Sequence, residues 1–379
     1  MGFHLLRRNR FFDLSFLGYL FVISVIVWQC YLRPSYNWDT LPYMAIILNM
    51  DDDDQGKIHQ RVLEIAKFEI PVELYQRMID TTHEIRKGLI QSSNQFFQFT
   101  SFFRTKPLYV LCSYLSYKAG FLLTKAPAIP SLLSYAGISI LIYFWLSRSY
   151  KAWLATLLSI SIMLAPPVLE GARLATPDMM SSMVLLYGFY LFLYGAKWGW
   201  IAMIMSIAIL IRLDNLIIAF VWLLFQVAIL RQGPDEMRSR LTAFALILAS
   251  WILYAVVLIQ YVNFQDGFGN FYGGLENRIY PWVLVTGAVS GLKTLQTSHL
   301  TVVLVICAMV LFYGKKIRFR DAGLQQYLFV ILITALVMKY LFFPDLTTRL
   351  HLPVYITCIM LTLEEVRNYI RTGVSSLTK

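Results

Sequence analysis

Apolar runs of membrane length, separated by short polar breaks, make up most of this chain. The first covers 14–31, and a long mixed loop, 32–127, follows it. Further runs lie near 130–147, 152–168, 178–195, 198–212, 214–230, 241–262, 299–314, 323–343 and 350–366. Stretches this long and apolar predict spanning helices. The expected fold is therefore an all-α polytopic membrane protein, a bundle of about ten transmembrane helices in one membrane domain, 1–379.

Within the first loop the period changes to that of amphipathic helices. Ile58, Val62, Ile65 and Ala66 share one helical face. A second helix is predicted to start at Pro71, with Glu73 in its first turn and Arg86 and Lys87 in its last, and to stop at Gly88. Phe96, Phe97, Phe99, Phe102 and Phe103 form an aromatic cluster of the kind found at membrane interfaces. The segment 107–120 is apolar but interrupted by Ser113, Ser116 and Lys118. As a helix it reaches roughly 20 Å against a hydrocarbon core of about 30 Å.

Charge parity decides how that short segment is read. With 107–120 interfacial or re-entrant, the basic clusters at Arg148/Lys151, Lys197, Arg231/Arg238/Arg240, Lys315/Lys316/Arg318/Arg320 and Arg367/Arg371 all fall inside. With it spanning, nearly all fall outside, against the positive-inside rule. Arg7, Arg8 and Arg10 put the N-terminus inside too, before a first helix that is retained rather than cleaved. Residues 263–298 make a second outer excursion, where Gly267, Gly269, Gly273 and Gly274 break any regular helix before a partial one near 281–292.

Composition agrees with this class. The chain is 58% hydrophobic with mean hydropathy +0.59, above the 45–50% usual for soluble domains. Its net charge of +11 is the bias of cytoplasmic loops, which argues against a nucleic-acid partner. Cys30, Cys112, Cys307 and Cys358 show neither metal nor disulfide spacing and are expected as small core residues. Asp51, Asp52, Asp53 and Asp54 lack the spaced ligands of a calcium loop and are expected as a solvated acidic turn. His59 and His83 are expected on polar helix faces, Lys339 to snorkel outward, and Glu364 and Glu365 to be solvated partners of Arg367.

The topology gathers a second set of charges at the outer ends of separate helices: Asp39, Lys106, Arg173, Asp178, Arg212, Asp214, Asp345 and Arg349. Such charges are costly unless paired or hydrated, and they mark substrate sites. Three pairs are close in sequence: Arg173 with Asp178, Arg212 with Asp214, and Asp345 with Arg349. Arginine and lysine there suit a phosphate or pyrophosphate head group. An aspartate can serve as general base toward a hydroxyl or ligate a divalent ion. These residues alone leave a transferase acting on a lipid-linked phosphosugar, a transporter or flippase, and a non-catalytic subunit all open.

Four segments resemble the GT-C superfamily of integral-membrane glycosyltransferases, in particular the lipid A aminoarabinose transferases and the protein O-mannosyltransferases. Asn37-Trp38-Asp39-Thr40 carries an acid soon after the first helix, and Lys106-Pro107-Leu108-Tyr109 is similar to a Lys-Pro-Pro-Leu-Tyr stretch with one proline missing. Residues 172–178 match an Ala-Arg-x-Ala-x-x-Asp segment, and Arg349-Leu350-His351-Leu352-Pro353 resembles Arg-Tyr-x-x-Pro. Thr40 stands where many members carry a second acid, so a divalent metal stays open. The chain ends at Lys379 without the C-terminal outer domain many members have, which leaves acceptor recognition to the first loop and 263–298.

The resemblance implies inverting transfer of a sugar from a polyprenyl-phosphate carrier to a hydroxyl of a lipid, glycan or protein. Asp39 would be the general base and Asp178 would orient acceptor or sugar. Lys106, Arg173, Arg212 and Arg349 would hold the carrier phosphate, with Asp214, Tyr109 and His351 as further substrate contacts. The outer loops contain no glycosylation sequon and the C-terminus no endoplasmic-reticulum retention signal. The expected location is a bacterial inner (plasma) membrane, with both termini cytoplasmic and the site on the outer face.

Overall fold

A computed structural model describes residues 14–52, 54–79, 84–229, 234–266, 299–312, 323–342 and 348–377. Every regular element among them is helical, and the one strand-like feature is an isolated parallel bridge between Ser35 and Leu174. Expectations for Arg7, Arg8, Arg10, Asp53, His83, Arg231, the glycine-rich 267–298, the basic cluster at 315–320 and Asp345 lie outside the described residues.

The first helix, α1 (Leu14–Leu32), turns most of its side chains outward and buries only Tyr19, Ile23 and Cys30. It packs on α8 (Ile129–Ser147) and α9 (Ala152–Met163), and the Tyr19 hydroxyl donates to the Ser139 carbonyl at 2.8 Å. The expected runs after the loop all appear as helices. They continue with α10 (Pro166–Arg173), α11 (Asp178–Leu193), α12 (Trp198–Ile211), α13 (Asn215–Ile229) and α14 (Pro234–Asp266). The last three are α15 (His299–Phe312), α16 (Leu324–Phe342) and α17 (Leu352–Leu377).

Among the described residues two helices, α1 and Ala126–Ser147, are long and apolar enough to cross a membrane. The pair α9 and α10 makes a third if taken as one span, with a 65° bend at the break. The bend has a local cause: Ala165 precedes Pro166 and is held extended at φ −56°, ψ 133°, as residues before proline usually are. The other apolar helical stretches that stand out among the described residues, such as Phe244–Leu258 within α14 and Leu324–Tyr340 within α16, have 10–17 residues, roughly 15–25 Å of rise.

The first loop is more ordered than its sequence pattern predicts. Helix α2 (Thr40–Asn49) follows Asp39 at once, and every residue from Thr40 to Leu48 is buried. It was not expected because it is apolar on all sides and carries Pro42. Proline is tolerated in a first helical turn, where the missing N–H has no intrahelical partner anyway. Around α2 stand α3 (Gln55–Glu69), α4 (Val72–Met78), α5 (Glu84–Gln91), α6 (Ser93–Arg104) and α7 (Pro107–Lys118). Leu41, Met44, Ile47, Ile58, Val62, Phe96 and Phe97 form a core of their own there. Each such side chain, fully buried, contributes roughly 1.5–3 kcal/mol.

Several loop expectations change accordingly. The helix expected from Pro71 to Gly88 is two helices: α4 ends at Met78, and α5 runs through Gly88 to Gln91. The phenylalanine cluster is mainly core, with Phe96, Phe97 and Phe103 buried. His59 is buried rather than on a polar face, its Nε2 lying 3.1 Å from the Leu89 carbonyl. The acidic turn is exposed as expected at Asp51, Asp52 and Asp54, but it also makes bonds: Asp54 caps α3 through the Lys57 N–H, while Asp51 receives Tyr114 Oη and Lys118 Nζ of α7, each at 2.8 Å. Helices α7 and α11 both end on a glycine of positive φ, Gly120 and Gly195. The next N–H in each case reaches back to the carbonyl of Ser116 or Leu191, closing a Schellman cap.

Candidate functional site

Asp39 sits at the N-cap of α2, the position where aspartate ordinarily binds the helix's free N–H groups. Here it does not: the residue is helical at φ −61°, ψ −22° and its side chain makes no capping bond. Asn37 Nδ2 donates to Asp39 Oδ2 at 3.1 Å, and Thr40 Oγ1 lies 3.4 Å from Asn37 Oδ1. Among the described residues no cation pairs with the carboxylate. One turn on, at the i+4 position that shares its face, Tyr43 is buried at 1% exposure.

Lys106 reaches the same place from the start of α7. It precedes Pro107 and is held off the helical region at φ −123°, ψ 59°, which carries its side chain back over α6. Its ammonium lies 4.5 Å from the Phe102 ring centre, 4.6 Å from Phe103 and 5.8 Å from Tyr43. Ring faces attract the cation without neutralising it, and among the described residues no carboxylate pairs with it. Burial, then the nearby Arg212 guanidinium, push Lys106 from 10.5 down to about 8, while Asp39 and Asp214 oppose that fall. Asp39, Arg212 and Asp214 are thus all within electrostatic reach of it.

Beside these two unpaired charges stands a set in which every charge is paired. Arg212 ends α12 and grips Asp214 with two bonds, Nε to Oδ1 at 2.9 Å and Nη2 to Oδ2 at 3.0 Å. Its Nη1 contacts Asp178 Oδ1 at the head of α11. Lys339, in the last turn of α16, places Nζ 2.7 Å from Asp214 Oδ2. Asn215 locks the base of the group, donating to Ser181 Oγ at 2.8 Å and to the Ala208 carbonyl at 2.7 Å. Three chain segments remote in sequence are joined at one point.

Of the predicted site residues, Asp39, Lys106, Asp178, Arg212 and Asp214 therefore come together. The sequence pairing of Arg212 with Asp214 holds, but Asp178 takes Arg212 as partner instead of Arg173. Arg173 donates from Nε to the Arg33 carbonyl at 2.7 Å, and its own carbonyl accepts from Ser35 N–H at 2.9 Å. It ties the exit of α1 to the end of α10. Tyr109 is fully buried and spends its hydroxyl on the Pro127 carbonyl at 2.5 Å. Arg349 lies half-buried in the 3-10 turn Thr348–His351, where His351 is buried. Lys339, expected to snorkel, is 5% exposed and belongs to the buried network. Nothing in its own stretch of sequence marks it apart from being a lone cation in an apolar run.

A second polar cluster lies where Glu364 of α17 meets α8, α11 and α16. Glu364 Oε1 accepts from Trp145 Nε1 at 2.8 Å and Tyr194 Oη at 2.6 Å, and Oε2 accepts from Gln325 Nε2 at 2.9 Å. The carboxylate expected to face solvent instead clamps four helices. It borders a cavity of about 380 Å³ with Arg148, which stacks 3.8 Å over the Tyr194 ring. Among the described residues no three His, Cys, Asp or Glu side chains converge as metal ligands. Comparison with known proteins returns no matching family model, no matching curated protein and no matching solved structure.

Proposed function

We propose that this chain is an integral-membrane glycosyltransferase of the GT-C kind, moving a sugar from a polyprenyl-phosphate carrier to a hydroxyl acceptor. What carries the reading is a bond that is not made. Asp39 and Lys106 have opposite charges and lie within electrostatic reach, yet they do not pair with each other or with any described residue. Both are partly exposed, Asp39 holding one bond from Asn37 and Lys106 resting on ring faces, and a substrate that needs both a base and an anion holder gives them their use.

In the reaction, Asp39 takes the proton of the acceptor hydroxyl as its oxygen attacks the anomeric carbon from the face opposite the carrier. The bond from that carbon to the carrier phosphate oxygen breaks, and polyprenyl phosphate leaves against the Lys106 ammonium. Asp178, Arg212, Asp214 and Lys339 form the fixed wall of this site. Arg212 then acts mainly as a field source, because two carboxylates already occupy its donors. In this reading the helices from α8 to α17 supply the remaining spans of an approximately ten-span bundle, and the first loop covers the site from the outer side.

The decisive assay offers protein in lipid nanodiscs a panel of polyprenyl-phosphate sugars, with acceptor lipids, and follows release of polyprenyl phosphate. Wild type turns over one donor, and Asp39→Asn turns it over about 10²–10⁴-fold more slowly. Turnover equal in both proteins would remove Asp39 from the chemistry. A transporter is the second reading, favoured by the buried Asp178–Arg212–Asp214–Lys339 chain, since membrane ion pairs often line transport paths. Donor uptake into sealed vesicles without phosphate release would select it.

A further inference from the structure

The Tyr43 hydroxyl is buried and has no hydrogen-bond partner among the described residues. Buried hydroxyls are as a rule bonded, and the neighbouring Tyr109 follows the rule by donating to Pro127. The two rings meet edge to face with centroids 4.9 Å apart, and Phe103 packs on Tyr43 in the same way at 5.1 Å. These two contacts hold the Tyr43 ring and so place its hydroxyl oxygen, about which the O–H rotates to meet an acceptor.

The groups around that hydroxyl define what it can meet. Asp39 is one helical turn before it on the same face, and Asp39 and Arg212 are both within electrostatic reach of it. The Lys106 ammonium stands 5.8 Å from the ring centre. A neutral O–H donor beside an unpaired cation suits an oxygen that is anionic and accepts more than one bond. A carbonyl or sugar hydroxyl would leave the ammonium uncompensated.

We propose that Tyr43 is a substrate-binding residue, donating its hydroxyl to a phosphoryl oxygen that Lys106 holds at the same time. The inference rests on the phosphate-carrier reading and adds to it a neutral donor that no sequence motif singles out. Tyr43 supplies direction and Lys106 supplies charge. Together they distinguish a phosphate-bearing lipid from the free isoprenoid alcohol.

The test uses the full chain in nanodiscs with farnesyl phosphate as probe and farnesol as its uncharged counterpart. Tyr43→Phe keeps the ring, its packing and its face toward Lys106, and removes one oxygen. Wild type is expected to bind farnesyl phosphate in preference to farnesol. Tyr43→Phe is expected to bind it roughly 10- to 100-fold more weakly, as for loss of a hydrogen bond to a charged group, with unchanged thermal melting. The ³¹P resonance of the bound probe should also differ between the two proteins. Equal affinity and equal ³¹P shift in both proteins would overturn the role of Tyr43 while leaving the Lys106 site standing. Failure of wild type to prefer the phosphate would overturn the carrier reading, and the inference with it.

Discussion

Lys339 Nζ and Asp214 Oδ2 meet at 2.7 Å although the two residues lie far apart in the chain, Lys339 in the last turn of α16 and Asp214 just before α13, and both side chains are largely covered. Their contact makes Asp214 a shared acceptor for Lys339 and Arg212, so each cation supports the carboxylate that positions the other.

Removing Arg212 should therefore be the most damaging single change in the group. Arg212→Gln takes from Asp178 its cation among the described residues and leaves Asp214 with Lys339, and breaking a buried pair in this way costs about 3–5 kcal/mol. Lys339→Met leaves Asp214 its two bonds from Arg212 and should fall at or below the low end of that range. Thermal melting in a single detergent ranks the two variants, and the reverse order would dismiss Arg212 as the hub.

Lys106 should give the protein a pH signature. Its pKa falls from 10.5 to about 8 on folding, so between those values the unfolded chain holds a proton that the folded protein has released. Unfolding then takes up protons, and stability from this group increases with pH across that window. Binding of an anionic probe moves the other way, weakening as pH rises above about 8, with bound phosphate displacing the midpoint upward. Lys106→Met should abolish both slopes, as read by melting and by farnesyl phosphate binding from pH 6 to 10.

Asp39 should be dispensable for folding. Replacing a working aspartate N-cap by alanine costs about 0.5–2 kcal/mol, but this carboxylate caps nothing. Asp39→Ala is expected to melt within about 0.5 kcal/mol of wild type, the range of ordinary surface changes. A loss as large as that of a true cap would mean that the side chain holds α2 in place.

Glu364→Leu should destabilise strongly, since it orphans donors from Trp145, Tyr194 and Gln325 at once. Each buried unmet donor costs about 1–3 kcal/mol. Glu364→Gln keeps an acceptor oxygen and should recover part of that loss. Melting of the two variants, with farnesyl phosphate affinity measured alongside and expected unchanged, separates this clamp from the candidate site.

The helices after the first loop were legible because apolar runs bounded by proline, glycine and charge need little else to be located. The run at 178–195 becomes α11 (Asp178–Leu193), and the run at 198–212 becomes α12 (Trp198–Ile211). Asp39 and Lys106 were legible as isolated charges beside apolar segments. The partner of Asp178 was not, because nearness in sequence to Arg173 says nothing about which helix ends meet in space. Helix α2 escaped for lack of an amphipathic period, and the pairing of Lys339 depends on how α16 packs on α13. Tyr43 could not be found from sequence at all: a tyrosine in an apolar stretch looks the same whether or not its hydroxyl is bonded.

The balance of the Asp178, Arg212, Asp214 and Lys339 group also limits how this protein can vary. Two carboxylates and two cations sum to zero, so any single loss leaves a net buried charge, whereas removal of one acid with one base does not. Neutral drift through these positions is therefore closed to single steps and open to compensated ones. Among homologous chains the four sites should change together, keeping the sum while the identities turn over, and Asp39 and Lys106, which the proposed reaction turns toward a substrate instead of toward each other, should stay fixed.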